Sequence, residues 1–247
     1  MFYKKTMYLF GICFLFILSA CSGDSTTEDI YGHLEESVNL EESFVEQQSA
    51  ISELEQKEQS LYEEIFDLNM DDFDSIKELS EEAIASIDER REKVDLEKES
   101  MDSSKEEFMK VKDLIGDLDD DDNQDVKNKA EEMYDAMMER YDAYDKIYDT
   151  YMDSLDLETE LYTMLQDEEL EQEDLSEQLE RVNKSYQEII DTNETFNKHT
   201  VEYNSLKRDF YDVADIDVEY DEEAPAKDEN DTGESNTENN SNENEED

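Results

Sequence analysis

Residues 172–213 read QEDLSEQLERVNKSYQEIIDTNETFNKHTVEYNSLKRDFYDV, and within them Leu175, Val182, Ile189, Phe196, Tyr203 and Phe210 recur every seven positions without a miss. Such a repeat lays one narrow apolar stripe along an α-helix and does not fit the two-residue alternation of a half-buried strand. Upstream, residues 125–165 carry two ladders of the same period. One is Tyr134, Tyr141, Tyr148, Leu155 and Tyr162; the other is Met137, Tyr144, Tyr151 and, after a gap at Glu158, Leu165. Residues 75–115 repeat Ile87, Val94, Met101, Phe108 and Ile115, and residues 27–67 place Ile51, Leu54, Leu61, Ile65 and Leu68 on one stripe that Phe44 and Ile30 extend backwards.

The breaks between these segments are acidic turns. Asn69 to Asp74 ends the first, with Asp74 or Ser75 placed to cap the next helix. Gly116 and the run from Asp117 to Asp125 end the second, and the stripe loses phase again from Asp167 to Glu173. Helix breakers are otherwise almost absent: Pro225 is the single proline, and Gly116 the single glycine between Gly32 and Gly233. Four helices of roughly 40 residues, each ~60 Å long at 1.5 Å per residue, follow. The expected fold is all-α: long antiparallel coiled-coil hairpins or one elongated four-helix bundle, the stripes leaving open which. The first segment has Lys57 as its single base, whereas the second carries Arg90, Arg91, Lys93, Lys105, Lys110 and Lys112. Their opposite charge favours pairing of these two helices, at ~0–1 kcal/mol per exposed pair.

The ends of the chain read differently. Lys4 and Lys5 precede an apolar run from Met7 to Leu18 that closes on Leu18-Ser19-Ala20-Cys21. That order is a secretory signal peptide, and the run is short of the ~20 residues a membrane-spanning helix needs. A Leu-Ser-Ala-Cys ending looks like a bacterial lipobox, in which cleavage precedes the cysteine and its sulfur takes a diacylglyceryl group. Residues 1–20 are thus expected to be a lipoprotein signal peptide, 21–26 a linker lipidated at Cys21, 27–213 the helical coiled-coil body, and 214–247 a disordered acidic tail. Two buried acyl chains anchor stably where one does not. The expected location is the outer face of the cell membrane, lipid-anchored and facing the cell wall. Cys13 leaves with the leader, so no cysteine remains for a disulfide.

Charge removes some functions. Losing the leader, with its two lysines and no acid, takes the net charge from −55 to −57. A chain this acidic has no face for nucleic acid, whose binding needs clustered lysine and arginine. The acidic excess suits either a functional acidic surface or adaptation to salty or alkaline surroundings. Catalytic residues and cofactors are not expected: His33 and His199 lie on helices beside acids, with no phosphate loop or nucleophile motif. A solute receptor would need two α/β lobes and a wall hydrolase a catalytic constellation, and the chain offers neither. Asp121, Asn123, Asp125 and Glu132 match positions 1, 3, 5 and 12 of an EF-hand-like loop. Position 6 is Val126 where that loop wants glycine, so these residues read as weak cation contacts at a solvated turn, not a dedicated metal site. Tyr134, Tyr141, Tyr144, Tyr148 and Tyr151 read first as a core seam and second as a partner or glycan face.

The lipobox, nearly 200 residues of amphipathic helix, the Glu46-Gln47-Gln48 and Glu53-Leu54-Glu55-Gln56-Lys57 stretches and the acidic tail together resemble the cell-wall-binding lipoproteins of Gram-positive bacilli, the YkyA-like family. The resemblance implies a non-enzymatic lipoprotein associated with the cell wall and carries over one residue, the lipidated Cys21. Partners expected are the membrane through the anchor, a cell-wall polymer or an exported protein, and divalent cations bridging anionic surfaces. The alternative function is a coiled-coil adaptor or regulator of a membrane or wall-remodelling protein.

Overall fold

A computed structural model describes residues 25–69, 72–118 and 124–218. The signal peptide, Cys21, Asp121, Asn123 and the tail from residue 219 onward lie outside the described residues. All four segments are helical, and two are interrupted. The first divides into α1 (Ser25–Leu40) and α2 (Glu42–Asp67), the second into α3 (Phe73–Phe108) and α4 (Val111–Asp117). The third and fourth are α5 (Gln124–Met164) and α6 (Gln172–Val213). No strand occurs among the described residues.

The seven-residue ladders are the core. On α3, Ile87, Val94, Met101 and Phe108 are all buried, and on α6 Val182, Ile189, Phe196, Tyr203 and Phe210 are too. A five-residue turn makes α2 and α3 antiparallel neighbours, and a seven-residue turn sets α5 and α6 face to face along their lengths. Cross-helix bonds tie neighbouring helices at successive levels, some within a hairpin and others, from α3 to α5, between the two. Arg90 of α3 reaches both Glu58 of α2 and Glu158 of α5, and Ser154 of α5 meets Ser185 of α6 at 2.9 Å. Higher up, Ser104 of α3 meets Tyr141 of α5 at 2.7 Å, and Arg140 of α5 donates to Thr200 of α6 at 3.1 Å. The alternative left open by the stripes is thereby decided in favour of one elongated four-helix bundle. Helix α1 continues the run of α2 past Glu41 and packs beside the end of α3 and α4.

The core has two apolar clusters. The larger gathers α1, α4, the start of α2, the end of α3, the first half of α5 and the end of α6 around Phe108. That ring is fully buried, stacked on Tyr134 at 5.4 Å and edge-on to Tyr141 and Tyr203 at 6.0 and 6.1 Å. The smaller packs Leu61, Ile65, Ile76, Ala83, Ile87, Leu155 and Tyr162 at the opposite end.

Three details differ from the sequence reading. Asp72, not Asp74 or Ser75, flanks the start of α3, because the helix begins two residues early at Phe73. The basic residues of α3 mostly face α5 rather than α2: Arg91 pairs with Asp156 at 2.6 Å, and Lys98 and Lys105 both reach Asp145. The acidic tail does not begin at 214. Asp215 turns into the left-handed region at φ 55, and the N–H of Ile216 bonds the carbonyl of Tyr211 at 3.0 Å. This six-to-one bond is a Schellman stop, which delivers an apolar residue back onto the helix end. Ala214 is buried, and Ile216 and Val218 pack on the larger cluster.

Candidate functional site

The apolar seams are interrupted by charge at fixed heptad positions. In α2 the series Phe44, Ile51, Glu58, Ile65 carries a glutamate, and in α5 the gap in the second ladder is Glu158. Both carboxylates are buried, 5% and 2% exposed, and both lie on Arg90, itself 5% exposed. The Glu58 contact is 2.8 Å. Arg90 lies in a second α3 series, Ile76, Ala83, Arg90, Glu97, Ser104 and Val111, every member of which is buried. A layer of two carboxyls and one guanidinium therefore separates the apolar clusters. Burial and then the neighbouring Glu158 push the Glu58 carboxyl well up despite Arg90. Burial would lower Arg90, but Tyr151, Glu158 and Glu58 more than reverse it and hold it charged. Burial beside a second carboxyl thus favours proton uptake at Glu58, next to a charged guanidinium.

Two turns along α3, Glu97 accepts a hydrogen bond from Gln48 of α2. Burial, then the charge of Glu55, pushes Glu97 up to about 8. A carboxyl raised on folding favours the folded state fully below its ordinary value of 4.5, and that contribution is lost as pH rises through about 8. The thermal midpoint is therefore expected to fall across mildly acidic to mildly alkaline pH. Glu97→Gln keeps the bond from Gln48 without the charge. It should raise the midpoint at alkaline pH by on the order of 10 °C, at roughly 1.4 kcal/mol per pKa unit, and leave it unchanged in acid. Thermal melts followed by helical circular dichroism check this, and equal midpoints of the two chains at every pH would contradict it.

A second buried ion pair lies in the larger cluster. The Arg140 guanidinium takes both oxygens of Glu41, at 2.8 and 2.7 Å, and stands over the Phe196 ring at 4.8 Å. Glu41 is the residue between α1 and α2. The break in the first segment sits where the chain contributes this carboxylate to α5.

The tyrosine ladder faces inward. Tyr134, Tyr141 and Tyr144 are buried, and their rings are covered by Phe108, Phe44 and Phe196. Tyr148 and Tyr151 are half-buried, and their hydroxyls donate to Asp95 of α3 at 2.8 Å and Glu55 of α2 at 2.6 Å. Lys98 stands over one ring and Arg90 over the other. A sugar ring would have to displace these partners to stack. The five residues meet in one seam, and it is the seam of the bundle.

Of the four residues that match a calcium loop, Asp125 and Glu132 are among the described residues, and they do not converge. Asp125 and Glu132 are both exposed on α5. Seven residues apart on one helix, they are separated by ~10 Å along the axis, too far to share an ion. Glu132 instead pairs with Lys129 at 2.6 Å. The described residues that do bring an imidazole and two carboxylates together are Glu139, His199 and Glu202. His33, by contrast, meets Glu107 at 2.6 Å, and Glu107 also takes Lys110 at 2.5 Å.

Comparison with known proteins places this bundle among relatives. The family model described as "Putative cell-wall binding lipoprotein", YkyA, matches residues 25–213. The lipoprotein YkyA of Bacillus subtilis (strain 168) is 35% identical over 198 residues, which are 80% of this chain and 87% of that one. A conserved Staphylococcus aureus protein of known crystal structure superposes with a TM-score of 0.65 at 18% identity, covering 78% of this chain and 97% of that one. At that identity the likeness speaks for the fold alone.

Proposed function

The chain belongs to the YkyA lipoprotein family, and from that premise we propose that it is a non-enzymatic, membrane-anchored lipoprotein whose helical bundle acts as a cell-wall-associated module. The observation that carries the reading is that the family match runs from the first residue of α1 to the last of α6, so it takes in the whole bundle and not one part of it. Lipidation at Cys21 would hold the bundle at the outer face of the membrane, and a rod ~60 Å long would extend toward the wall.

The outer surface sets the binding mode. The buried bases are spent on internal pairs, Arg90 on Glu58 and Glu158 and Arg140 on Glu41. The exterior is left strongly acidic, and like charge repels an anionic wall polymer. With the tyrosine rings engaged inside the bundle, attachment would come from hard divalent cations shared between surface carboxylates and wall anions. The test is co-sedimentation of the full chain, purified in detergent, with isolated cell-wall sacculi. Pelleting that requires calcium is the expected result, and no pelleting with or without calcium would overturn direct wall binding.

One observation favours a second reading as an adaptor for another exported protein. Tyr186 and Ile190, one turn apart on α6, are 40% and 44% exposed. Such a pair is what a partner helix or groove covers. A stoichiometric, salt-resistant protein complex in cross-linked cells would support it.

A further inference from the structure

His199 lies on the second seam of α6, in the series Gln178, Ser185, Thr192, His199 and Leu206, each of them buried or half-buried. Its side chain is 20% exposed and pressed toward α5. The Nδ1 atom is sealed from solvent and has no hydrogen-bond partner. Two carboxylate oxygens nevertheless stand beside it: Oε2 of Glu139 on α5 at 3.3 Å, and Oε2 of Glu202, one turn further along α6, at 3.8 Å. The three donor atoms lie within 4.8 Å of one another.

This arrangement is poor as a hydrogen bond and good as a coordination edge. Neither carboxylate lies where an N–H would point, so the nitrogen is left unmet between two anions. A tetrahedral ion bound at 2.0–2.1 Å separates neighbouring donors by ~3.3 Å, close to what these atoms already show. The donor set also selects the metal. Calcium and magnesium take oxygen ligands, whereas imidazole with carboxylate suits zinc and similar borderline cations. Glu139 and Glu202 are 61% and 49% exposed, which leaves an entry path and room for water as a further ligand. The adjacent cation, Arg140, is turned inward and held by Glu41, so it does not neutralise the pair.

We propose that Glu139, His199 and Glu202 form a binding site for a zinc-class divalent cation, pinning α5 to α6 near the middle of the bundle. The site is separate from the diffuse calcium bridging proposed above, since one uses an imidazole and the other exposed oxygens alone.

Titration of the full chain in detergent with zinc chloride tests this, in calcium and magnesium sufficient to occupy the acidic surface. One zinc per chain is expected by calorimetry, with the ring resonances of His199 shifted and those of His33 unmoved. Glu139→Gln and Glu202→Gln change exposed side chains and should keep the helical signal. Each should weaken binding at least about tenfold, since even groups one step removed from a metal cost ~10–100-fold, and His199→Gln should abolish it. Failure to bind zinc stoichiometrically, or equal zinc affinity in the His199→Gln chain, would overturn the proposal. The same affinity in both glutamine variants at the carboxylates would overturn it too.

Discussion

Arg90→Met is expected to destabilise the bundle by about 3–5 kcal/mol at mildly alkaline pH, because it strands Glu58 and Glu158 without their cation. For a chain of this length that is a loss of roughly 10 °C or more in thermal midpoint. The loss should shrink on acidification, as the stranded carboxyls take up protons. Adding Glu58→Leu and Glu158→Met to the same chain should return stability to the wild-type level or above, since apolar side chains of similar size remove the desolvation cost of all three groups. Urea denaturation of the three chains at two pH values distinguishes this from simple loss of packing. A triple variant as unstable as the single one would show that the layer's geometry, not its unpaired charge, sustains the fold.

The second large effect is expected at Arg140. Its guanidinium makes two bonds to Glu41 and one to Thr200, and it covers Phe196. Arg140→Ala removes all of these and leaves Glu41 in the core without its cation, at an expected ~3–5 kcal/mol. Arg140→Lys keeps the charge but not the planar fork, and should lose about 1–2 kcal/mol. Because Glu41 joins α1 to α2, the damage should be local. Amide exchange ought to quicken most in α1 and the first turns of α2, with the end around Leu61 and Leu155 little changed. Uniform acceleration over the whole bundle would contradict that assignment.

Much of this architecture is legible in the heptads, and the illegible parts have physical reasons. The ladder from Val182 to Phe210 needs only a count of sevens, and every member is buried. Which hairpin faces which is not readable from stripes, because a narrow apolar stripe has the same appearance against any partner. The pairing is specified by side chains that look like defects in the pattern. Glu158 appears in the sequence as a missed rung, and Glu58 as a polar step between Ile51 and Ile65, yet these are the groups that meet on Arg90. A signal was present: a charged residue at a seam position of one helix asks for an opposite charge at a seam position of another. The tyrosine ladder shows the converse ambiguity. Its period suits a core or a surface platform equally, and only the third dimension, with Phe108, Phe44 and Phe196 over the rings, separates them. Of the Asp121 to Glu132 match, Asp125 and Glu132 lie on the helix α5, where loop spacing has no meaning.

The consequence for function is that the specific chemistry of this chain is turned inward, where it sets register, and its exterior is a dense carboxylate surface. On the proposed reading, a wall module of that kind would work through cations and reach. The direct test is made in cells, with residues 22–247 exported through an ordinary cleavable leader so that no lipid holds them. This chain is expected to stay with the wall fraction in calcium and to be released by a chelator. Its appearance in the medium irrespective of calcium would show that the lipid alone places the protein there, and would contradict wall association by the bundle.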